Sequence, residues 1–506
     1  MISKIWKNNS VWAVVAQFVS SGITFVIAPV ISKRVGIEAY GYVALAQNVL
    51  LYINTVVIAF NYFTERNITV AVHRGEKDSA RGFYSSTIAA DAILLGTVSV
   101  PAAYMIFHLE RFLKISENLQ NDIKLLFAFM VCQYFFALLG SVFDVAAITL
   151  NRLDINSKNR VISLCVHVVG ILVLLNCFPP HVWYVGLGYF LGSAVYLLIQ
   201  FRVKRVLLPY LSFSKEHISL HKIISQVKNG IWVSVNNFGN ILNDGLDILI
   251  TNLMITEHVM GIISIAKLFG NFSYAIVATI SSSLRGKLLK TYSEDDTFEL
   301  VKYLNSSMRI TGTVFMLIFG GFIAWGESFL KLWMGRQYSG ELYYITLLAM
   351  SASLVPSIVV PLYYVYTLFE RMKIPCAITI LMGIINVIAM YILIKHTNLQ
   401  GMAVLLTTCV LNTLHIIDSP IYAAFCMHIN ARVFYKTILK VLLYDVVYSL
   451  LALCIRKLIP QNDDLLMLIL QMFILFVLGV GISMLILLSS SEKKDLVCWL
   501  RDNKGI

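Results

Sequence analysis

The stretch Val227–Lys267, VKNGIWVSVNNFGNILNDGLDILITNLMITEHVMGIISIAK, governs how the rest of the chain is read. It holds one apolar run long enough to cross a bilayer, a very short turn, and the start of a second run. Yet Asn236, Asn240, Asn243, Asp244, Asp247 and Thr251 are polar. Their spacing of three and four residues puts them on one helical face. At 1.5 Å per residue, Asp244 falls roughly 22 Å from a helix start near Asn229, at the bilayer middle or just past it. Lys267 falls about nine residues into the next helix, at a similar depth from the other side. Charges at that depth cost roughly 2.5–3.5 kcal/mol each on insertion scales. Such groups are expected to face a watery or polar cavity, so the stretch reads as one wall of a substrate path.

Composition supports a membrane setting. The chain has 506 residues, 58% of them hydrophobic and 13% charged, with a mean hydropathy of +0.76. A soluble domain carries about 25% charged residues, so an all-α polytopic membrane protein is expected. The formal net charge is +12. Its basic residues cluster in alternate loops, which the positive-inside rule explains better than nucleic-acid binding does. Cys132, Cys165, Cys177, Cys376, Cys409, Cys426, Cys454 and Cys498 form no CxxC pair. They are expected to be buried small hydrophobes, with no disulfide and no metal site. The first apolar run is too long for a signal-peptide core and lacks a good A-x-A site, so no cleavable signal is expected.

At about 20 apolar residues per span, fourteen spans are expected. They are 10–32, 41–63, 83–107, 123–150, 161–178, 182–200, 229–254, 258–284, 303–330, 341–369, 375–396, 400–428, 437–459 and 465–490. With the N-terminus inside, twenty-eight Lys and Arg residues fall on inner segments and ten on outer ones. That contrast places both termini in the cytoplasm. Shifting the chain by 220 residues aligns Asn9 with Asn229, Trp12 with Trp232, Val15 with Val235, Phe18 with Phe238, Gly41 with Gly261 and Ala46 with Ala266. An even number of spans per repeat gives a parallel repeat, with its axis along the membrane normal. The expected organisation is a six-helix lobe over 1–200, a cytoplasmic linker over 201–228, a second six-helix lobe over 229–428, and two more helices with a tail over 429–506. A transporter of this kind binds cargo between its lobes.

With this layout in view, RVGIEAYGYVALA at Arg34–Ala46 fits an R-x-x-G-x-x-x-Y-G start to the second span, and NYFTERNI at Asn61–Ile68 is its polar exit. GLDILITN at Gly245–Asn252 and MGIISIAK at Met260–Lys267 follow later. In these motifs, and in fourteen helices arranged as six, six and two, the chain resembles the polysaccharide-transporter branch of the MOP superfamily. That branch holds the Wzx-type flippases, with MATE exporters and the lipid II flippase as cousins. The resemblance implies a MATE-like fold that exchanges inward- and outward-facing states. It also implies a cargo: an undecaprenyl-pyrophosphate-linked oligosaccharide, moved across the bacterial plasma membrane for capsule, O-antigen or teichoic-acid assembly. The lipid II flippase carries an arginine cluster in its N-lobe cavity, and the first span here has none, so lipid II itself is a poorer cargo.

Such a cargo needs a cation for its pyrophosphate, polar and aromatic groups for its sugars, and a lateral apolar route for its tail. Lys267 suits the pyrophosphate; the competing reading is an ion pair with Asp244 or Asp247. Asp244 and Asp247, with oxygens from Asn240, Asn243 and Thr251, suit an H⁺ or Na⁺ counter-ion, or simply a polar cavity. Arg66 can receive pyrophosphate from the inner leaflet, or only snorkel. Arg34 and Glu38 form an outer gate or a solvated pair. Asp91, Asp144 and Asp418 with Arg285 and Arg309 form inner-gate ion pairs, or face interfacial water. His415 and Asn412 lie a turn from Asp418, and His167 reads as hydrogen-bonded packing. Pro356 and Pro361 should kink the tenth span. Tyr52, Tyr62, Tyr363, Tyr364 and Tyr366 suit sugar stacking or an interfacial belt.

No G-x-x-x-x-G-K-[ST] run is present, so neither a nucleotide cofactor nor enzymatic chemistry is expected. The alternatives are a MATE-like ion-coupled exporter of small organic cations and a membrane polymerase, which the short outer loops disfavour. Expected partners are membrane lipids, the lipid-linked cargo and other polysaccharide-pathway membrane proteins.

Overall fold

A long apolar run in hydrocarbon must satisfy its own backbone, and among single segments only a helix does so. The computed structural model describes residues 9–61, 64–294, 296–459 and 465–487, and it is all-helical with connecting turns over those residues. The helices are α1 Asn9–Arg34, α2 Ile37–Asn61, α3 Thr64–His73, α4 Lys77–Phe107, α5 Gln120–Thr149, α6 Leu153–Cys177 and α7 Trp183–Leu207. They continue as α8 Leu220–Asn240, α9 Asp247–Met254, α10 Glu257–Ser293, α11 Thr297–Met334, α12 Gly340–Ser351, α13 Leu354–Val359 and α14 Tyr363–Leu368. The last four are α15 Lys373–His396, α16 Gly401–Met427, α17 Arg432–Leu458 and α18 Leu465–Leu487.

Among the described residues, eleven helical stretches are long and apolar enough to cross a membrane. Three more, α1, α2 and the interrupted α8–α9, correspond to the remaining expected spans. The chain is therefore a multi-pass membrane protein. The end of the last expected span, the tail lysines, Lys4, Lys7, Tyr62 and Cys498 lie outside the described residues.

The chain forms two compact units. The first is Met1–Ser264 with Cys376–Gln400, and the second is Ile265–Pro375 with Gly401–Ile506. Thus α8, α9 and α15 belong to the first unit. There α3 has one buried face and one exposed face. Its Ile68 and Ala71 join a core with Ala80, Tyr84, Val142, Val145 and Leu208, while Glu65, Arg66 and Arg74 are exposed. The linker after α7 is strapped to the start of α4. Arg81 Nε donates to Tyr210 O at 2.9 Å, and the Ser214 and Ser219 amides donate to Ser85 Oγ and Ser86 Oγ at 3.1 and 2.9 Å.

In the second unit, α11 packs along α17. The span at 341–369 breaks near its prolines. Helix α12 stops at Ser351, α13 carries Pro356, and a 3₁₀ turn at Val360–Leu362 carries Pro361.

The first unit also brings two aligned pairs of the 220-residue shift into contact. A Cβ on Gly41 would lie 3.0 Å from Gly261 Cα, and one on Gly261 would lie 2.4 Å from Ile37 O. Glu38 Oε1 lies 2.8 Å from His258 Nδ1, again 220 positions apart. A residue touches its own equivalent only where a two-fold axis passes, so the starts of α2 and α10 meet at a local pseudo-axis.

Because the obstacle at Gly261 is backbone, it cannot swing aside. Gly261→Ala is expected to cost roughly 1–3 kcal/mol. Gly96→Ala, which meets nothing within 4 Å, should be neutral or stabilise by up to ~1 kcal/mol through helix propensity. Thermal unfolding of the two purified variants in detergent checks the contrast.

Candidate functional site

The polar stretch that opened the sequence reading is not one continuous helix. Helix α8 ends at Asn240, and Ile241–Gly245 form a single π-turn, with Leu246 N donating to Ile241 O at 3.1 Å. One extra residue in a turn rotates everything after it by about 100°. The six polar groups therefore do not share a face. Asn243, Asp247 and Thr251 are buried, as is Asn252, whereas Asn240 and Asp244 are exposed and Asn236 is half-buried. This corrects the single wet face expected from spacing alone.

The π-turn is held from two sides within the first unit. From α2, Asn48 Nδ2 and Tyr52 Oη both donate to Gly245 O, at 3.1 and 2.6 Å. They stand four residues apart, hence on one face of α2. From α15, Asn386 Nδ2 donates to Asn243 O at 2.5 Å, and Asn243 Nδ2 donates to Thr379 O at 3.2 Å. Gly383 permits this approach, since a Cβ there would lie 2.4 Å from Leu242 Cβ. Further polar pairs follow along the same bundle. Gln47 Nε2 donates to Tyr189 Oη at 2.7 Å and Tyr134 Oη to Asn54 Oδ1 at 3.2 Å.

Two loops also bond to each other in this unit. The Asn252 amide makes a reciprocal pair with the Lys114 backbone, both bonds 3.0 Å, and Ser116 Oγ donates to Glu257 Oε2 at 3.0 Å. Nearby, Lys124 Nζ lies 2.7 Å from Glu110, and that hydrogen bond holds the Glu110 carboxyl below its usual range. Glu38 is partnered by His258, while Arg34 Nη2 donates to Asn176 Oδ1 at 2.7 Å. That pairing replaces the expected Arg34–Glu38 contact.

The remaining expected groups have local settings of their own. Arg66 is exposed on α3, and Asp91 is fully buried in α4. Asp144 Oδ2 accepts from Tyr196 Oη at 2.9 Å, and Tyr196 in turn accepts from Gln200, whose amide also donates to Asn156 at 3.0 Å. In the second unit, Lys267 is half-buried on α10. Asp418 Oδ1 sits 3.1 Å from His415 Nδ1, and Asn412 donates to Ala352 O at 3.2 Å. Arg285 lies over the Tyr364 ring, and Arg309 Nη1 donates to Leu487 O at 2.7 Å. Sequence reasoning passed over the Glu327–Arg456 pair at 2.6 Å. It also passed over Asn48, Asn54 and Gln47; the seven-residue spacing of Gln47 and Asn54 and the four-residue spacing of Asn48 and Tyr52 were the available signal.

Two packing expectations need correction. His167 is buried with neither ring nitrogen hydrogen-bonded; its ring lies 3.7 Å, centroid to centroid, from that of Tyr189. Among the described residues, Cys376 and Cys426 are buried and Cys409 is half-buried, whereas Cys132, Cys165, Cys177 and Cys454 are exposed. Among the described residues, no group of three or more His, Cys, Asp or Glu is placed to hold a metal ion.

No family model matches the chain. It is 28% identical over 421 residues to the uncharacterized membrane protein EpsK of Bacillus subtilis (strain 168), covering 82% of each chain. Its fold is that of an inward-facing multidrug resistance MATE family transporter of the MOP superfamily. That match has a TM-score of 0.68 at 12% identity and covers 81% of this chain and 95% of the other. The lipid II flippase MurJ in an inward closed conformation matches with a TM-score of 0.66 at 14% identity, over 94% of this chain and 98% of its own. An outward-facing MATE transporter matches at 0.62 with 13% identity, over 84% and 96%. The architecture is therefore the all-α, MATE-like one.

Because Asn48 and Tyr52 share one acceptor, Asn48→Ala or Tyr52→Phe alone leaves the Gly245 carbonyl one donor. Each is expected to cost about 0.5–1.5 kcal/mol. The double variant, which strips the carbonyl, should cost more than the sum of the two. A double-mutant cycle on thermal unfolding measures the excess.

Proposed function

We propose that this chain is a flippase. Its cargo is an undecaprenyl-pyrophosphate-linked oligosaccharide repeat unit, moved across the bacterial plasma membrane by alternating access of two six-helix halves, 1–200 and 229–428. Both termini face the cytoplasm. The observation that carries the reading is the extent of the fold match. The lipid II flippase aligns with 94% of this chain, against 81% for the inward-facing exporter. A fourteen-span chain is thus accounted for almost to its end by a flippase fold.

The chemistry of the polar groups supports the same cargo. Asn48, Tyr52, Asn54, Gln47 and Tyr134 are neutral donors and acceptors, the kind of partners that sugar hydroxyls exchange with readily. Lys267 and Arg66 are the cations assigned to the pyrophosphate, the exposed Asn240 and Asp244 are assigned to the sugars, and the buried Asp247 is assigned to the counter-ion. Arg34 and Glu38 act at the outer rim. Asp91, Asp144, Asp418, Arg285 and Arg309 serve gating or coupling to H⁺ or Na⁺. Export of small organic cations is the second reading, since the exporter fold scores as high. It predicts no need for Lys267.

In a deletion strain, lipid-linked oligosaccharide should accumulate on the cytoplasmic leaflet, as read by its inaccessibility to an external sugar-modifying enzyme. Lys267→Ala should reproduce most of that accumulation and Lys267→Arg should rescue it. Unchanged leaflet distribution in the deletion strain would reject the cargo, and normal outward flux in Lys267→Ala would reject the site alone.

A further inference from the structure

The second unit contains a carboxyl that nothing above employs. Asp445 is the fourteenth residue of α17, a helix of 27 residues. That places it about 20 Å from either end, at mid-bilayer depth. Its relative exposure is 5%, and its Oδ1 is buried with no hydrogen-bond partner. Among the described residues no ion pair reaches it.

The surroundings explain why none does. One turn before it, Val441 packs on Gly312 of α11, and one turn after it, Tyr448 packs on Gly320 of α11 and Gly479 of α18. The flanking hydroxyls are already committed. Tyr444 Oη donates to Gly479 O at 3.3 Å and Tyr448 Oη to Leu475 O at 3.1 Å. The register set by Gly312 and Gly320 puts Arg309 about two turns to one side of Asp445 and Glu327 about three turns to the other. Arg309 donates to the Leu487 carbonyl, and Glu327 is taken by Arg456 and Lys331. Helix α18 carries no charged residue at all. Helix α16 meets α17 where Tyr435 donates to Ile417 O, and its Asp418 is held by His415. On α17 itself, Lys436 and Lys440 are exposed, off the buried face.

A carboxylate with no counter-charge and no donor is the costliest form this site could hold. A hard metal cation would need about six oxygen ligands, and Asp445 stands alone. A proton needs only one. We propose that Asp445 is a membrane-embedded proton-binding site, occupied while α17 lies against α11 and emptied when that packing opens. The bond made and broken is a single carboxyl O–H, with the proton exchanged to water. Its use as the proton-linked step of transport rests on the flippase reading; the site itself does not.

The probe is infrared spectroscopy of full-length protein in native membrane vesicles, which reads the C=O stretch of a protonated carboxyl without needing access to it. The wild-type spectrum should carry a protonated-carboxyl band at neutral pH that Asp445→Asn removes. Identical carboxyl bands in the two proteins would overturn the site and leave the flippase reading untouched. Asp445→Asn should lose the several-fold stimulation of outward flux given by an imposed pH gradient. Stimulation equal to wild type would overturn the coupling.

Discussion

A backbone carbonyl at membrane depth must find a donor, because no bulk water is there to supply one, and each failure costs several kcal/mol. The π-turn at Ile241–Gly245 creates that demand in the middle of the chain's most polar span. Asn48 and Tyr52 meet it at Gly245, and Asn386 meets it at Asn243. The consequence runs outward from the turn. Meeting the demand ties α2 and α15 to the break. It also sends Asp247 and Thr251 into the interior while Asp244 stays exposed. The polar row on α2 has its register because of that one break in the helical repeat.

The same break marks the limit of what sequence spacing can report. Span positions were legible, because twenty apolar residues in a row have one physical use, and the observed helices overlap each expected span, most running past it by several residues. Their faces past residue 240 were not. A π-turn is stabilised by partners nearly two hundred residues away in Asn48 and about 140 away in Asn386, and nothing local in ILNDG announces it. The 220-residue shift identified Gly41 and Gly261 as equivalents. That they touch is a fact about the axis, which an alignment of a chain with itself does not contain. Arg34 and Glu38 looked paired because they lie one turn apart. Asn176 and His258, distant in the chain, took them instead.

Asp445 escaped notice for a related reason. A polar residue draws attention in a sequence when others recur at helical spacing around it. A single carboxyl among apolar neighbours has no such companions. Its significance comes from three glycines, Gly312, Gly320 and Gly479, that let α11 and α18 close around α17. Close packing at small residues is how membrane helices associate when lipid is as apolar as the side chains. The carboxyl is sealed by that packing.

The π-turn and the Glu327–Arg456 pair thus treat polarity differently, and the difference bears on motion. Around the π-turn most bonds are neutral, from amides and hydroxyls to carbonyls. Such a bond is worth only about 0.5–1.5 kcal/mol net, so it can be exchanged for another partner at little cost. Around Glu327 and Arg456 in the second unit the contacts are charge-assisted, and charge-assisted bonds are roughly twice as strong. A protein that changes shape inside a bilayer must keep each backbone group satisfied in every state. Weak bonds that sugars, side chains and backbone can all make in turn fulfil that requirement where movement is needed. Strong ones suit the places that travel as rigid pieces.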